Sequence, residues 1–370
     1  MAQPKLQKAE TDSFYGDYLY ANIVPENHFL RLLRDLVPWQ RFTYRLIKFY
    51  RGKGQVGRPP IDPAILLKML LLSYLYDLSE RQVEEFCNYF LPAKYFLGLA
   101  IDAHAPDHST LTLFKNRILE NGKVVAYERL LDEIIAIARE AGIEFGPLQL
   151  VDSTHTIADV DLAQEKQRKD DGRGPRDPDA RWGCKGTYTF HGEDGQPQRG
   201  KKWFYGYKLH ASFNEGAQMI TSLHVSTGNR PDNAYLCDLI RSDLAQGLAI
   251  DTCVADRGYD DTEIHYILQQ LGIRNAIHLV GKRTQKKDAN KQVWQRLIQE
   301  PWYRPALGTR YQIERKFGEA KLYHGLRDCR YLSLERYAVQ AYLTAIALNL
   351  KQLIRGLMGV SLRGPTLNSI

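Results

Sequence analysis

Cysteine is scarce and scattered in this chain. Cys87, Cys184, Cys237, Cys253 and Cys329 are spread over 370 positions, with no CxxC pair and no short Cys/His spacing. An odd, dispersed set argues against a disulfide scaffold and against a structural zinc site. Long apolar runs are missing as well. The longest, AILLKMLLLSYLY from Ala64, is too short to cross a bilayer and contains Lys68. No basic-then-apolar leader opens the sequence, and no internal repeat is visible. The expectation is a protein of a reducing, cytoplasmic compartment with no membrane partner.

An acidic excess is also absent. The formal charge is +7, with 44% hydrophobic and 25% charged residues, ordinary proportions for a globular chain long enough for two domains. The positive charge is unevenly placed. Gly281 to Leu332 holds thirteen Lys/Arg against five Asp/Glu, and Met1 to Pro60 holds ten against five. Such segments suit a polyanion, most simply nucleic acid, although a solvated basic surface has the same composition.

Helical periodicity dominates residues 1–145. NHFLRLLRDLVPWQRFTYRLIKFY repeats its apolar positions at helical spacing. Asp62 and Pro63 then form a cap and first turn for a helix that is apolar nearly all round and so expected to be buried. Ser79 caps LSERQVEEFC, and Asp107 or Ser109 caps PDHSTLTLFKNRILE. A last helix, VVAYERLLDEIIAIAREAG, ends at Gly142. The helix carrying Lys115, Asn116 and Arg117 fits a helix-turn-helix that binds DNA ends, or a plain helical bundle.

The period changes from Pro147. LQLVDST reads as a strand, and FYGYKLHASF and QMITSLHVST as a hairpin across NEGA. RPDNAYLCDLIRS reads as a helix, AIDTCVADRGYD as a strand, DTEIHYILQQLG as a helix and RNAIHLV as a strand. The pattern predicts a mixed sheet flanked by helices over 146–332, with a mobile, polar loop at 164–183 and a second flexible basic stretch at GKRTQKKDAN. An amphipathic helix at 333–370 is expected to cover the catalytic domain.

Asp152 and Asp256 stand at the C-terminal ends of two of these strands. A lone aspartate there is usually a turn or cap residue. Two on neighbouring strands would converge, repel one another and favour a divalent cation, and oxygen-only ligands suit Mg²⁺ or Mn²⁺. A third acid is available in TRYQIERKFGEAK. At about 100° per residue, Arg310, Glu314, Phe317 and Lys321 share one helix face, and Glu319 lies about 140° from Glu314. Ion pairs along a solvated helix account for Arg315 and Glu319. They account less well for Glu314 beside Phe317. Three carboxylates holding two ions about 3.5–4 Å apart would serve phosphodiester displacement.

At these residues the sequence resembles bacterial insertion-sequence transposases of the DDE type. The resemblance covers most of the chain, through GRPPIDPAILLKMLLLSYLYDLSERQVEE, PDHSTLTLFKNRI, VDST, GYKLH, ADRGYD and RYQIERKFGEAK. It implies an α/β, ribonuclease-H-like catalytic domain preceded by an all-α domain, with Asp152, Asp256 and Glu314 as the catalytic, metal-binding triad and two Mg²⁺ or Mn²⁺ ions as cofactors. It also implies an R-x3-E-x6-K element through Arg310, Glu314 and Lys321. The tyrosine that often precedes this arginine by three falls at Leu307, so that element is missing, and Tyr303 and Tyr311 are its nearest substitutes. Arg310, Lys321, Lys208, Arg257 and Arg315 are candidate DNA contacts, Lys208 being equally well read as an exposed strand lysine. The implied activity is cleavage at the ends of a mobile element and transfer of the 3′-hydroxyl to target DNA, by a homo-oligomer on double-stranded DNA. A nuclease of the same fold and a non-catalytic DNA-binding regulator are the alternatives.

Overall fold

The computed structural model describes Leu6 and residues 14–50, 59–191, 196–279 and 296–359. The basic stretch GKRTQKKDAN lies outside the described residues. The chain forms two compact units, one of Met1–Ile143 with Leu343–Ile370, the other of Glu144–Tyr342.

The first unit is helical: α1 (Phe14–Ile23), α2 (Phe29–Leu36), α3 (Gln40–Leu46), α4 (Pro63–Leu75), α5 (Glu80–Tyr89), α6 (Leu91–Leu97) and α7 (His108–Glu140). The single periodic stretch of the sequence is divided at Val37–Pro38, because proline cannot continue the ladder of α2. Asp62 Oδ1 accepts the Ala64 N–H at 2.8 Å and the Thr43 hydroxyl at 2.7 Å, so the cap of α4 also ties it to α3. Every residue of α4 from Pro63 to Tyr74 is buried, as its all-round apolar pattern requires. Lys68 survives there because its Nζ donates to the Phe96 carbonyl at 2.9 Å and lies near the Trp39 and Phe96 rings; burial, then Arg34, lowers its pKa to about 7. Ser79 and Gln82 form a reciprocal cap on α5, and Asp107 accepts the Ser109 N–H to start α7. The two helices expected over 107–142 form one element, broken at Lys123, whose φ is 52°.

The second unit contains β1 (Leu148–Ile157), α8 (Leu162–Asp170), β2 (Arg181–His191), β3 (Pro197–Asn214), β4 (Met219–Thr227), α9 (Leu236–Ala245), β5 (Thr252–Ala255), α10 (Thr262–Gln270) and β6 (Arg274–Ile277). It continues with α11 (Tyr303–Gly308), α12 (Tyr311–Tyr323) and the start of α13 (Leu334–Met358). The sheet order is β2-β3-β1-β5-β6, with β4 also on β3. β1–β5 and β5–β6 are parallel and the rest antiparallel, the mixed arrangement of a ribonuclease-H-like sheet. Val151, Cys253 and Ala255 meet Leu239, Ile240, Ile264 and Leu268 of α9 and α10 in its core.

Two further features differ from the sequence reading. Residues 164–183, expected as a loop, include most of α8, capped by Asp161, and the first residues of β2. Between them Asp177 is fully buried and accepts from the Tyr207 hydroxyl at 2.6 Å and from the backbone N–H groups of Asp179, Ala180 and Ser333. The terminal helix, expected to belong as a whole to the catalytic domain, is shared: from Leu343 its residues group with the first unit.

Candidate active site

The site grows out of one mismatch in strand length. β1 pairs with β5 only from Leu148 to Val151, because β5 stops at Ala255, opposite Val151. The next residue on each parallel strand is an aspartate, so Asp152 and Asp256 stand side by side where the parallel pairing stops; only Asp256 ends its strand, since β1 runs on to Ile157 beyond the end expected at Asp152. Asp256 Oδ1 accepts the Gly258 N–H at 2.7 Å, capping a short 3-10 turn and leaving Oδ2 outside that bond. A side chain at Gly258 would put its Cβ 2.9 Å from this oxygen.

Beyond Asp152, β1 runs on with no β5 beside it, and α12 packs against it. The helix is tied at both ends. Near its start, Arg310 Nη1 lies 3.6 Å from Asp152 Oδ2 and Arg310 Nη2 pairs with Glu314 Oε1. After its end, Ile157 N donates to the Arg327 carbonyl at 3.0 Å and Cys329 N donates to the Ile157 carbonyl at 2.7 Å. Ile313, Lys316, Phe317 and Ala320 form its buried face, and Glu314 stands beside it, 48% exposed. Glu319 is turned elsewhere, 3.2 Å from Lys316 Nζ and 3.9 Å from His324 Nε2.

Asp152 is 14% exposed, with Oδ1 accepting the Ser153 N–H. Burial, with Asp256 and Glu314 adding like charge, pushes its carboxyl up to about 7 against the lowering effects of Ser153 N–H and Arg310. Tyr259 is wholly buried nearby; burial, then Asp152, Asp232 and Asp256, drives its hydroxyl well above the ordinary range. Sequence reading passes over Tyr259, whose only signal is its place in ADRGYD.

A cationic flank lies at the far end of α12. Lys321 Nζ is 3.4 Å from His155 Nδ1. Burial, then Lys185 and Arg327, lowers Lys321 to about 8; burial, then Lys321, Lys185 and Lys208, lowers His155 to about 4. Sequence reading misses His155 and Lys185 too. Lys208 is cross-strand from His155 but is tied down, 12% exposed, donating to Asp232 Oδ1 at 2.9 Å and to the Arg230 carbonyl at 2.8 Å. Arg257 and Arg315 are exposed beside the second and third acids. Tyr303 is buried with its hydroxyl donating to the Ile277 carbonyl at 2.6 Å, whereas Tyr311 is exposed on α12.

The donor set suits a hard divalent cation. It is made of carboxylate oxygens alone, and Asp152, whose pKa is raised first by burial and further by Asp256 and Glu314, would be held ionised by a bound cation. The three acids are not drawn tightly together, since Arg310 stands between Asp152 and Glu314. Among the described residues, the one set of three ligand-type side chains within 4.8 Å is Glu84, Asp107 and His108. Those groups serve helix ends: Glu84 accepts from the His108 backbone N–H at 2.9 Å and lies 2.6 Å from its ring nitrogen.

Asp152 and Asp256 thus stand where the pairing of β1 with β5 stops, and Glu314, joined to Asp152 through Arg310, stands on the helix packed against β1: three acids on a ribonuclease-H-like sheet. The family model described as Transposase DDE domain matches residues 151–350, and that described as Transposase domain (DUF772) matches 19–117. The chain belongs to the DDE transposase family. Among solved structures it is similar to a piggyBac transposase synaptic complex with hairpin DNA, at 10% identity over 95% of this chain and 84% of that one, with a TM-score of 0.34. A Mos1 transposase paired-end complex matches at 13% identity over 80% and 87%, with a TM-score of 0.21. Scores this low carry no argument about details.

Proposed function

We propose that this transposase cuts the ends of an insertion sequence and joins the freed 3′-hydroxyl to target DNA by transesterification. The observation that carries the reading is the placement of Asp152 and Asp256 on adjacent parallel strands just where their pairing stops, with Arg310 reaching both Asp152 and Glu314. Asp152, Asp256 and Glu314 would hold two Mg²⁺ or Mn²⁺ ions. Bound there, such ions supply charge for the developing oxyanions and lower the pKa of a water or hydroxyl.

The protein's own groups then have separable tasks. The Asp256–Gly258 turn fixes one carboxylate. Arg310 neutralises Asp152 and Glu314 and becomes available to a phosphate once another cation balances them. Lys321, Arg257 and Arg315 border the acids and bind backbone phosphates; Lys208, held by Asp232, is the weakest of these candidates. Tyr311, exposed on α12, takes the place of the missing signature tyrosine in preference to Tyr303, whose hydroxyl is engaged. No tyrosine nucleophile or covalent protein–DNA intermediate is needed. The first unit serves as the DNA-end-binding domain, though not through Lys115, which is buried against Glu80. The enzyme works as a homo-oligomer on paired double-stranded ends in the cytoplasm. Among the described residues no helix is long and apolar enough to cross a membrane.

Incubation of a labelled duplex bearing the element's end, with Mg²⁺ or with EDTA, tests the reading. Metal-dependent cutting followed by joining of a pre-cut end supports it. Cutting without joining indicates a nuclease, and binding without cutting indicates a regulator.

A further inference from the structure

The hairpin formed by β2 and the first half of β3 lies outside the part of the sheet that builds the site. β3 pairs with β1 and β4 only from residue 206 onward; before that, residues 197–205 have β2 as their only strand partner. Every residue of β2 except Gly183 is exposed, and so are residues 197–203 apart from a half-exposed Gly200. A two-stranded ribbon exposed on both faces is marginal in water without something to cover it.

Its chemistry says what would cover it. β2 and β3 together carry six Lys/Arg (Arg181, Lys185, Arg199, Lys201, Lys202 and Lys208) and no Asp or Glu. The two carboxylates of the connection, Glu193 and Asp194, lie outside the described residues. Alternation puts Arg199, Lys201, Trp203 and Tyr205 of β3 on one face, with Trp182 opposite Tyr205. Trp182 and Trp203 are 51% and 56% exposed, Trp182 lies 5.5 Å from the Tyr205 ring, and Lys201 Nζ lies 5.6 Å from the Trp203 ring. On the opposite face Tyr188 lies over Gly200, where a Cβ would come within 2.6 Å of its ring, and it meets Phe190 at 5.7 Å. Both faces are exposed, but the Arg199–Lys201–Trp203 face carries two cations beside the more exposed aromatic pair, Trp182 and Trp203, whereas Tyr188 and Phe190 on the other are 45% and 40% exposed. At the base of the ribbon, Lys185 is close enough to Lys321 and His155 to depress the basicity of both, so the positive strip continues to the acids.

We propose that this ribbon is a duplex-DNA-binding arm of the transposase, gripping DNA beside the cutting site through the Arg199–Lys201–Trp203 face. The proposal rests on the transposase reading. Cations at alternate positions meet phosphates, the flat aromatic side chains lie against sugars and base edges, and a two-stranded ribbon fits the major groove. A second copy of the chain is a poorer occupant, since edge pairing would set lysine and arginine against their own kind with no carboxylate in either strand.

The test is fluorescence anisotropy of the full-length protein with a labelled random-sequence duplex over a series of salt concentrations. The double variant R199Q/K201Q is expected to bind more weakly, with the slope of log K against log salt reduced by about 2, one unit for each phosphate that no longer meets a cation. Trp203→Ser should weaken binding without changing that slope. Both variants should keep the wild-type melting temperature, because the three side chains are exposed. Asp256→Asn should bind with the wild-type slope and fail to cut, which separates the arm from the catalytic reading. Wild-type affinity and slope in R199Q/K201Q, with cutting intact, would overturn the arm and leave the transposase reading standing. A change of oligomeric state with DNA affinity unchanged would overturn it in favour of an interface between copies. Failure of the wild type to bind any duplex would overturn both.

Discussion

Burial and two neighbouring acids hold the Asp152 proton up to about pH 7, far above the ordinary aspartate value. The native state therefore binds a proton that the unfolded chain releases near pH 4. The protein loses stability as pH rises between these values, and the loss is complete above about 7. In EDTA, Asp152→Asn should melt higher than wild type at pH 8, with the gap closing at pH 4. Adding Mg²⁺ at pH 8 should raise the melting temperature of the wild type and not of the variant. A wild type whose melting temperature rises steadily from pH 4 to 8 in EDTA relative to Asp152→Asn would contradict this. Gly258→Ala is a second residue-scale test. Its new Cβ would press on Asp256 Oδ1, so activity should fall at least about tenfold while the melting temperature changes little, a misplaced group being costly to a reaction that depends on orientation. The two aspartates are legible in the sequence because each follows an apolar strand signal, and Glu314 because of its helical spacing from Arg310 and Lys321. Tyr259, His155 and Lys185 are not, since a lone Tyr, His or Lys carries no local pattern and acquires its meaning only from what packs beside it.

At the scale of elements, what can be read from sequence is what is decided locally. The caps at Asp62, Ser79 and Asp107 depend on residues two or three positions away, and all three occur. Asp62→Ala should cost about 1–2 kcal/mol in chemical denaturation, because it frees the Ala64 N–H and the Thr43 hydroxyl together. α8 reads as loop because it is polar on every side, and β2 escapes notice because an exposed, glycine-containing ribbon shows no alternation of apolar and polar residues. The buried network under β1 is beyond local reading as well. Gln149 Nε2 donates to Asp243 Oδ2 and to Ser212 Oγ, both at 2.9 Å, joining β1, β3 and α9 across 94 positions of sequence. Asp243→Ala should cost about 2–4 kcal/mol, since it leaves buried donors without their acceptor; a cost below about 0.5 kcal/mol would mean the network contributes packing alone. The register of α12 is legible for a different reason: 3.6-residue geometry fixes which side chains share a face, and Arg310 and Lys321 each reach a residue of β1, Asp152 and His155, while Glu314 pairs with Arg310 and Glu319 with Lys316.

At the scale of the whole molecule, the chain forms a helical unit and a sheet-based unit, with α13 contributing residues to both. A sequence pattern gives the existence of α13 but not that division, which depends on where its two halves pack. The second unit carries positive charge beyond the two basic segments seen in composition: Lys185 and the strands β2 and β3 lie outside both, and Lys321 lies in the second. On the proposed function, DNA binding and DNA cutting are separable: salt should set the first and divalent metal the second. The most direct measurement of the central claim is cutting of an end-bearing duplex by wild type, Glu314→Gln and Glu319→Gln in Mg²⁺ and in EDTA. The account predicts metal-dependent cutting by the wild type and by Glu319→Gln, and a loss of at least about a hundredfold in Glu314→Gln, as expected when a charge that stabilises the transition state is removed. Undiminished cutting by Glu314→Gln would contradict the acid triad, and loss of cutting in Glu319→Gln alone would show that the other glutamate of α12 completes the site.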